Sequence, residues 1–186
     1  MIELQHFHEP AELRDYRSAH PGSSWDDPAF ELVRPVVRRQ LNREQEGLCI
    51  YCEMLLLENE GHVEHIKSKG LNPQLTLIYD NLAHSCDGPG HCGHHKKSRA
   101  LPVEPRLGCN RFFCLMATDG KLVPSPGLSQ ADTAQSIETL RILCLNTPAL
   151  ARQRKSFVDT VRFLSSKIEI DEFLKTSPFR WSLRGL

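Results

Sequence analysis

Hydrophobic residues recur at helical spacing between residues 28 and 47. The apolar positions, three or four residues apart, are Phe30, Val33, Val37 and Leu41. Gly47 closes the pattern, and a glycine there suits a left-handed helix terminus. Pro35 lies inside the span and either kinks the helix or marks its true start. The pattern predicts one long helix, preceded by a short helix and a loop in the proline-interrupted residues before it.

Two more helices are predicted in the last third of the chain. Ser129 can cap a helix over residues 130–145, and Thr147, followed by a proline, can cap a second helix that continues to about residue 167. A shorter helix is expected from residue 171. Before these helices, residues 112–125 predict a hairpin, because the Asp119-Gly120 dipeptide tolerates the positive φ angles of a tight turn.

Length and composition indicate how large a core the chain can bury and in which compartment it is expected. A chain of 186 residues with 40% hydrophobic content can bury one core. Lys and Arg together number 23, as do Asp and Glu, so the net charge gives no general attraction to nucleic acid. The apolar runs are short and the first residues do not form a secretory signal, so we expect a cytoplasmic protein. Three segments, 1–47, 48–100 and 101–186, are expected to form one compact domain.

Two pairs of cysteines predict a metal site. Cys49 and Cys52 form a CxxC motif, and Cys86 and Cys92 form a wider pair with a glycine-rich loop between them. Four thiolates in two pairs suit the tetrahedral coordination of a structural zinc ion, and His91 could replace one sulfur. In the alternative interpretation all of them are ordinary buried thiols. The remaining cysteines stand among apolar neighbours and are expected to act as small hydrophobic residues: Cys109, Cys114 and Cys144.

Polar residues between the cysteine pairs carry the candidate chemistry. The stretch 61-GHVEHIKSKG-70 sets Glu64 beside His65, and Asn81 precedes a leucine further along. A rigidly held imidazole can take a proton from water near neutral pH. A divalent ion held by a carboxylate and an imidazole can stabilise the charge of a phosphate. Without the cysteines around it, the Glu-His pair would indicate only a solvated hairpin.

The order of these motifs over residues 48–97 resembles the HNH endonucleases, the ββα-metal nucleases. That order is CxxC, Glu-His, Asn-Leu, two cysteines and a His-Lys cluster. The resemblance implies an α+β fold with a ββα-metal core and a four-cysteine zinc knuckle, embedded in mainly helical flanking segments. It also implies phosphodiester hydrolysis with a structural Zn²⁺ and a catalytic divalent metal, Mg²⁺ or Mn²⁺, with Zn²⁺ as a further option.

The resemblance also implies a role for each polar residue. His65 corresponds to the general base, Glu64 to a ligand of the catalytic metal, and Asn81 to the residue that orients the base through a hydrogen bond. A residue of the following helix, His94 or His95, is expected to complete the metal site.

The helix ligand is where this chain departs from the family pattern. In the family a His or Asn usually follows the last knuckle cysteine directly, with a lysine three residues further on. This chain has Gly93 in that place. Counting three residues back from Lys97 favours His94 over His95.

Basic side chains near the site predict contacts with nucleic-acid phosphates, although they are also compatible with a solvated rim. These are Lys67, Lys69, Lys96, Lys97 and Arg99. A basic stripe on the first long helix has the same two interpretations and consists of Arg34, Arg38, Arg39 and Arg43. His62 and His84 are expected to lie at the surface or behind the ligands rather than to bind metal.

The flanking segments are similar to the HNH proteins of Septu-type and retron-associated anti-phage systems. The similarity covers about residues 25–160 and rests on Trp25, 119-DGKLVPSPGLS-129 and 137-IETLRILCLNTPALARQRK-155. It implies a defence effector that cuts DNA with an ABC/SMC-like ATPase partner, and a retron reverse transcriptase with its nucleic acid as further components. Two alternatives stay open: a nuclease that acts on RNA, such as transfer RNA, and a non-catalytic zinc-binding adaptor.

Overall fold

The computed structural model describes residues 1–185 and combines helices with two small antiparallel sheets, in agreement with the α+β class. The elements are, in chain order, α1 (Ala11–Ala19), α2 (Arg34–Glu44), β1 (His62–His65), β2 (Leu82–Ser85), α3 (Cys92–Lys96), β3 (Phe113–Leu115), β4 (Leu122–Pro124), α4 (Gln130–Leu143), α5 (Pro148–Phe163), α6 (Lys167–Thr176) and α7 (Arg180–Leu183). None of the helices in this described part has the length and apolar character needed to span a bilayer.

The hairpin of β1 and β2 lies between two hydrophobic clusters. Glu64 is paired with Ala83, and His65 with Leu82. Leu82 belongs to a cluster formed largely by α1 and α2, whereas Ala83 belongs to the larger cluster that includes the cysteine loops and the C-terminal helices. Because alternate residues of a strand face opposite sides, this sheet buries both faces. The strand side chains are therefore held rigidly.

The first long helix begins later than the pattern predicted. Pro28–Phe30 form a separate 3₁₀ turn, and α2 starts at Arg34 with Pro35 as its second residue. Proline is tolerated there because the first helical amide groups have no partner within the helix. Pro35 therefore marks the start of the helix rather than a kink, and Gly47 takes the expected left-handed conformation just beyond its end.

The predicted caps of the C-terminal helices are confirmed. The Ser129 and Thr147 side chains accept hydrogen bonds from the first turns of α4 and α5. Helix α5 ends at Phe163, short of the predicted residue 167. The reason is Ser166, which starts α6 with a capping box shared with Glu169. The predicted hairpin over residues 112–125 is confirmed as β3 and β4, with Gly120 at positive φ between them.

A buried carboxylate joins the two ends of the described chain to the first cysteine loop. The Oε1 atom of Glu53 lies 2.6 Å from the Met1 ammonium, and both groups are almost fully buried. The Ser182 hydroxyl of α7 donates a hydrogen bond of 2.7 Å to the same oxygen. Cys109 is buried beside Met1, as expected of a small hydrophobic residue, whereas Cys114 and Cys144 are only partly buried.

Candidate functional site

Four cysteine sulfurs meet behind the β1–β2 hairpin. The Sγ atoms of Cys49 and Cys92 are 3.9 Å apart, and those of Cys52 and Cys86 are 3.7 Å apart. Sulfurs bound tetrahedrally to one zinc ion at about 2.3 Å would be about 3.8 Å apart. The backbone N–H of Cys86 also donates to the Cys49 sulfur at 3.3 Å, which stabilises a thiolate. This cluster of four free cysteines could hold a metal ion.

His91 lies beside this cluster. Its Nδ1 is 3.1 Å from the sulfur of Cys92 and 3.9 Å from that of Cys86. The four sulfurs already supply a tetrahedral set, so the structure favours all four cysteines over the alternative in which His91 replaces one. The imidazole is placed to donate a hydrogen bond to the sulfurs.

His65 ends β1 with its ring held on two sides. Its Nε2 donates a hydrogen bond of 3.0 Å to the backbone carbonyl of Thr76, and Trp25 meets the ring edge-on at 4.8 Å between centroids. Burial lowers the pKa of His65 below its ordinary value, which outweighs the opposing effects of the Thr76 carbonyl and the Glu64 carboxylate. The ring is therefore neutral near pH 7, and Nδ1, which has no hydrogen-bond partner within residues 1–185, carries the lone pair.

Glu64 is buried and uses its two carboxylate oxygens differently. Oε1 accepts hydrogen bonds from the Lys96 ammonium at 2.7 Å and from the Tyr51 hydroxyl at 3.2 Å. Oε2 faces the Nε2 atom of His62 at 3.5 Å. Burial would raise the pKa of Glu64, but the hydrogen bond from His62 and the ammonium of Lys96 hold it below its ordinary value. The group is thus an anion with one oxygen turned toward an imidazole.

Asn81 supports the loop that follows His65 and does not contact the imidazole. Its Oδ1 accepts from the backbone N–H of Lys67 at 2.8 Å, and its Nδ2 donates to the Lys67 carbonyl at 2.9 Å. The expected direct hydrogen bond to His65 is not present, and the carbonyl of Thr76 orients the ring instead. Sequence reasoning missed Thr76 because it acts through a backbone atom, which every residue type carries.

The two histidines predicted as helix ligands have hydrogen-bond partners other than Glu64. The Nε2 of the exposed His94 lies 3.1 Å from an Asp87 oxygen, and Nδ1 of His95 donates to the Ile142 carbonyl at 2.8 Å. The helix residue that contacts Glu64 is Lys96, which is buried and therefore does not fit the expected role of a phosphate contact.

Gly93 is the helix position that faces the carboxylate. A Cβ atom built on it would lie 2.6 Å from Oε2 of Glu64 and 2.7 Å from Nε2 of His62. Lys96 stands three residues after Gly93, which is the spacing that the resemblance implies between the helix ligand and the lysine. Counted from Lys96, the position of the expected ligand is Gly93 instead of His94.

A second group of side chains that could hold a metal ion consists of His62, Asp87 and His94. The Nδ1 of His62 is 2.8 Å from Oδ1 of Asp87, and the two imidazole centroids are 4.6 Å apart. From the sequence, His62 was expected to lie at the surface or behind the ligands. A signal was available, because His62 and Glu64 are two residues apart on one strand and so share a face. His84, by contrast, is buried and hydrogen-bonded to Asn42 and to the Glu60 carbonyl, away from the ligands.

Comparison with known proteins identifies the family. No protein-family model matches the chain. A protein of Vibrio cholerae serotype O1 biovar El Tor named "Retron Vc95 putative HNH endonuclease" is 33% identical over 205 residues, an alignment that spans 100% of this chain and 99% of that protein. The chain belongs to the HNH endonucleases. The polar residues that the sequence resemblance singled out thus lie in a nuclease.

The basic residues of this HNH endonuclease differ in their solvent exposure and in their contacts with other protein groups. Lys67 and Lys97 are exposed, whereas Lys69 forms an ion pair of 2.7 Å with Asp26. Arg99 donates to the carbonyls of Lys96 and Ile142 and so serves to fasten α3 to α4. These contacts support α3 and leave fewer guanidinium N–H groups available to bind substrate.

A cleft of about 320 Å³ lies between α2 and β1 of the endonuclease. Arg34 and Arg38 line it together with Trp25 and His62. Each arginine is fixed by backbone carbonyls, Arg34 by that of Trp25 and Arg38 by those of Glu58 and Gly61. The cleft therefore places fixed positive charge beside His62.

Proposed function

We propose that this HNH endonuclease hydrolyses DNA phosphodiester bonds with a divalent metal and that His65 is its general base. The observation that carries the proposal is the neutral imidazole whose Nε2–H is held by the Thr76 carbonyl. A base must present a lone pair in a fixed direction, and this contact leaves it on Nδ1. His65 would take a proton from the attacking water at that atom.

The catalytic divalent metal is proposed to bind at Glu64. The carboxylate is anionic, and its Oε2 is not engaged by Lys96 or Tyr51. Gly93 has no side chain beside this oxygen, and a Cβ atom there would approach it to 2.6 Å. A bound Mg²⁺ or Mn²⁺, or alternatively Zn²⁺, would supply positive charge for the scissile phosphate and the leaving oxygen. Lys96 would hold the carboxylate in place from its other oxygen.

A structural Zn²⁺ is proposed at Cys49, Cys52, Cys86 and Cys92. The sulfur separations suit tetrahedral coordination, and soft thiolate ligands favour zinc over the hard ion proposed at Glu64. Cys92 opens α3, and Cys86 follows β2. The ion would thus set the distance between the strand that carries Glu64 and the helix that carries Lys96.

DNA is proposed as the substrate, with phosphate contacts from the exposed Lys67 and Lys97 and from the basic cleft lined by Arg34 and Arg38. The contacts are to phosphate, so they predict limited sequence specificity. The site chemistry suits a ribose backbone as well, and RNA is the second candidate substrate.

The biological role is proposed to be anti-phage defence within a retron system. Support comes from the retron in the name of the Vibrio cholerae relative, together with the similarity to Septu-type and retron-associated proteins. The proposed partners are an ABC/SMC-like ATPase and a retron reverse transcriptase with its nucleic acid. The equal numbers of acidic and basic residues favour a partner that presents the substrate, because the chain lacks a strong positive field of its own.

Cleavage of plasmid DNA with Mg²⁺ or Mn²⁺, with and without the partner proteins, tests the function. We expect nicks or breaks by the parent protein, and a loss of about 10²–10⁴-fold for His65→Ala. His8→Ala, at an exposed histidine away from the site, should cut as the parent does. A His65→Ala variant with parental activity would refute the mechanism.

Parallel reactions with transfer RNA and other RNA decide whether the substrate is DNA or RNA. The adaptor alternative predicts about one zinc per chain, no second metal and no loss of function on replacing Glu64 or His65.

A further inference from the structure

The His62 imidazole and the Glu64 carboxylate face one another beside Gly93. The Nε2 of His62 lies 3.5 Å from Oε2 of Glu64. We propose that His62 is the imidazole ligand that, together with Glu64, binds the catalytic divalent metal. The inference rests on the proposed nuclease function and assigns the ligand to β1 instead of to α3.

The glycine explains why the ligand comes from the strand. A Cβ at position 93 would lie 2.6 Å from the Glu64 oxygen and 2.7 Å from the His62 nitrogen, so a side chain there would fill the place that the imidazole now occupies. A helix ligand and His62 therefore exclude each other. Gly93 is buried and does not adopt positive φ, so its backbone conformation does not demand glycine. Glycine at position 93 therefore allows the His62 ring to lie beside Glu64.

The other side of the His62 ring is arranged as in histidines that bind metal. Its Nδ1 lies 2.8 Å from the Asp87 carboxylate, to which it donates a hydrogen bond. Metal-binding histidines commonly donate their second N–H to a carboxylate, which fixes the tautomer and raises the basicity of the ligating nitrogen. With a metal ion bound, the Nε2 atom of His62 would present its lone pair to the ion; without one, its N–H faces the Glu64 carboxylate. His94 contacts the same Asp87 oxygen from outside and holds the carboxylate.

Two protein ligands on one side leave several coordination positions for water and phosphate. Mg²⁺ and Mn²⁺ commonly keep waters in this way, and the Glu64 oxygen that faces His62 is the one that Lys96 and Tyr51 leave available. The cleft lined by Arg34 and Arg38 opens beside His62, so phosphate oxygens could reach the vacant positions.

Mn²⁺ binding to the zinc-loaded protein, followed by electron paramagnetic resonance, tests the assignment without relying on cleavage. His62→Ala and Glu64→Ala should each weaken Mn²⁺ binding by about tenfold or more. His94→Ala, at the adjacent imidazole that lies on the outer side of Asp87, should weaken it less than His62→Ala. Circular dichroism of each variant checks the fold.

Any of three results would overturn the inference. These are parental Mn²⁺ affinity in His62→Ala, absence of Mn²⁺ binding by the parent, or a greater loss in His94→Ala, which would place the ion between Asp87 and His94. Failure of the proposed function has a different signature. His65→Ala should bind Mn²⁺ normally and not cut, so a His65→Ala variant that still cuts refutes the base and leaves the ligand result standing.

Discussion

The side chain of Asn81 is joined to the backbone of Lys67 through both of its polar atoms. Its Oδ1 accepts from the Lys67 N–H at 2.8 Å and its Nδ2 donates to the Lys67 carbonyl at 2.9 Å. The loop between β1 and β2 is thereby closed directly behind His65, while Thr76, further along the same loop, supplies the carbonyl that holds the imidazole. His65, the proposed base, is thus oriented through this loop.

Replacing Asn81 should impair both stability and turnover. Asn81→Ala removes the acceptor of a backbone N–H, and we expect a loss of about 1–3 kcal/mol in the free energy of unfolding. Because the loop positions His65, kcat should fall while KM changes less. Urea denaturation and steady-state cleavage measure the two effects. Asn59→Ala, at an exposed residue, is the control, and equal effects in both variants would contradict the assigned role.

Lys96 should matter to stability far more than its neighbour Lys97. Lys96 is 1% exposed and pairs with the buried Glu64, so Lys96→Met leaves a carboxylate without its cation. Breaking a buried ion pair in this way costs about 3–5 kcal/mol. Lys97→Met changes an exposed residue at the end of α3 and should shift the urea midpoint little. Similar midpoints for the two variants would show that the ion pair does not stabilise the fold.

Loss of the proposed zinc should unfold the region around α3. Cys49→Ser removes one of the four sulfurs, and we expect the zinc content to fall from about one per chain together with a lower melting temperature. Cys114→Ser changes a partly buried cysteine of β3 outside the cluster and should keep the metal. Elemental analysis and thermal denaturation measure both quantities. Unchanged zinc in Cys49→Ser would exclude this site.

Glu44 should make folding stability depend on pH in the acid range. Burial would raise the pKa of Glu44, but hydrogen bonds from His6, Gln40 and the backbone N–H groups of His8 and Phe7 hold it below the ordinary value of 4.5. A carboxyl whose pKa is lower in the folded state stabilises the protein above its unfolded pKa, and this contribution is lost as the pH falls through the folded pKa. Tyr79 also donates to this carboxylate, at 3.0 Å.

The test compares Glu44→Gln with the parent. The free energy of unfolding of the parent should decline more steeply than that of Glu44→Gln between neutral pH and about pH 3. Glu12→Gln, at an exposed position of α1, should keep the parental slope. An identical pH profile in Glu44→Gln and the parent would show that this carboxylate does not carry the acid sensitivity.

The sequence by itself determined the features whose cause is local. The Ser129 and Thr147 caps, the left-handed Gly47 and the CxxC pair depend on neighbours within a few residues, and the structure agrees with each. The order of cysteines, Glu64-His65 and Asn81 also sufficed to indicate the HNH family, because the order of motifs is a property of the sequence and does not depend on packing. The sequence left two outcomes for Pro35, a kink within α2 or the start of α2, because a helix tolerates proline only in its first turn.

Only the tertiary structure decided which side chains meet. The direction of each α3 side chain follows from the rotation of that short helix, which Cys92 sets by facing the other three sulfurs. That rotation turns Gly93 and Lys96 toward Glu64 and sends His94 and His95 to Asp87 and Ile142. His62 gains its place opposite Glu64 because the neighbouring helix position has no side chain, and the Thr76 carbonyl reaches His65 because a loop folds back. Such contacts depend on packing between distant segments.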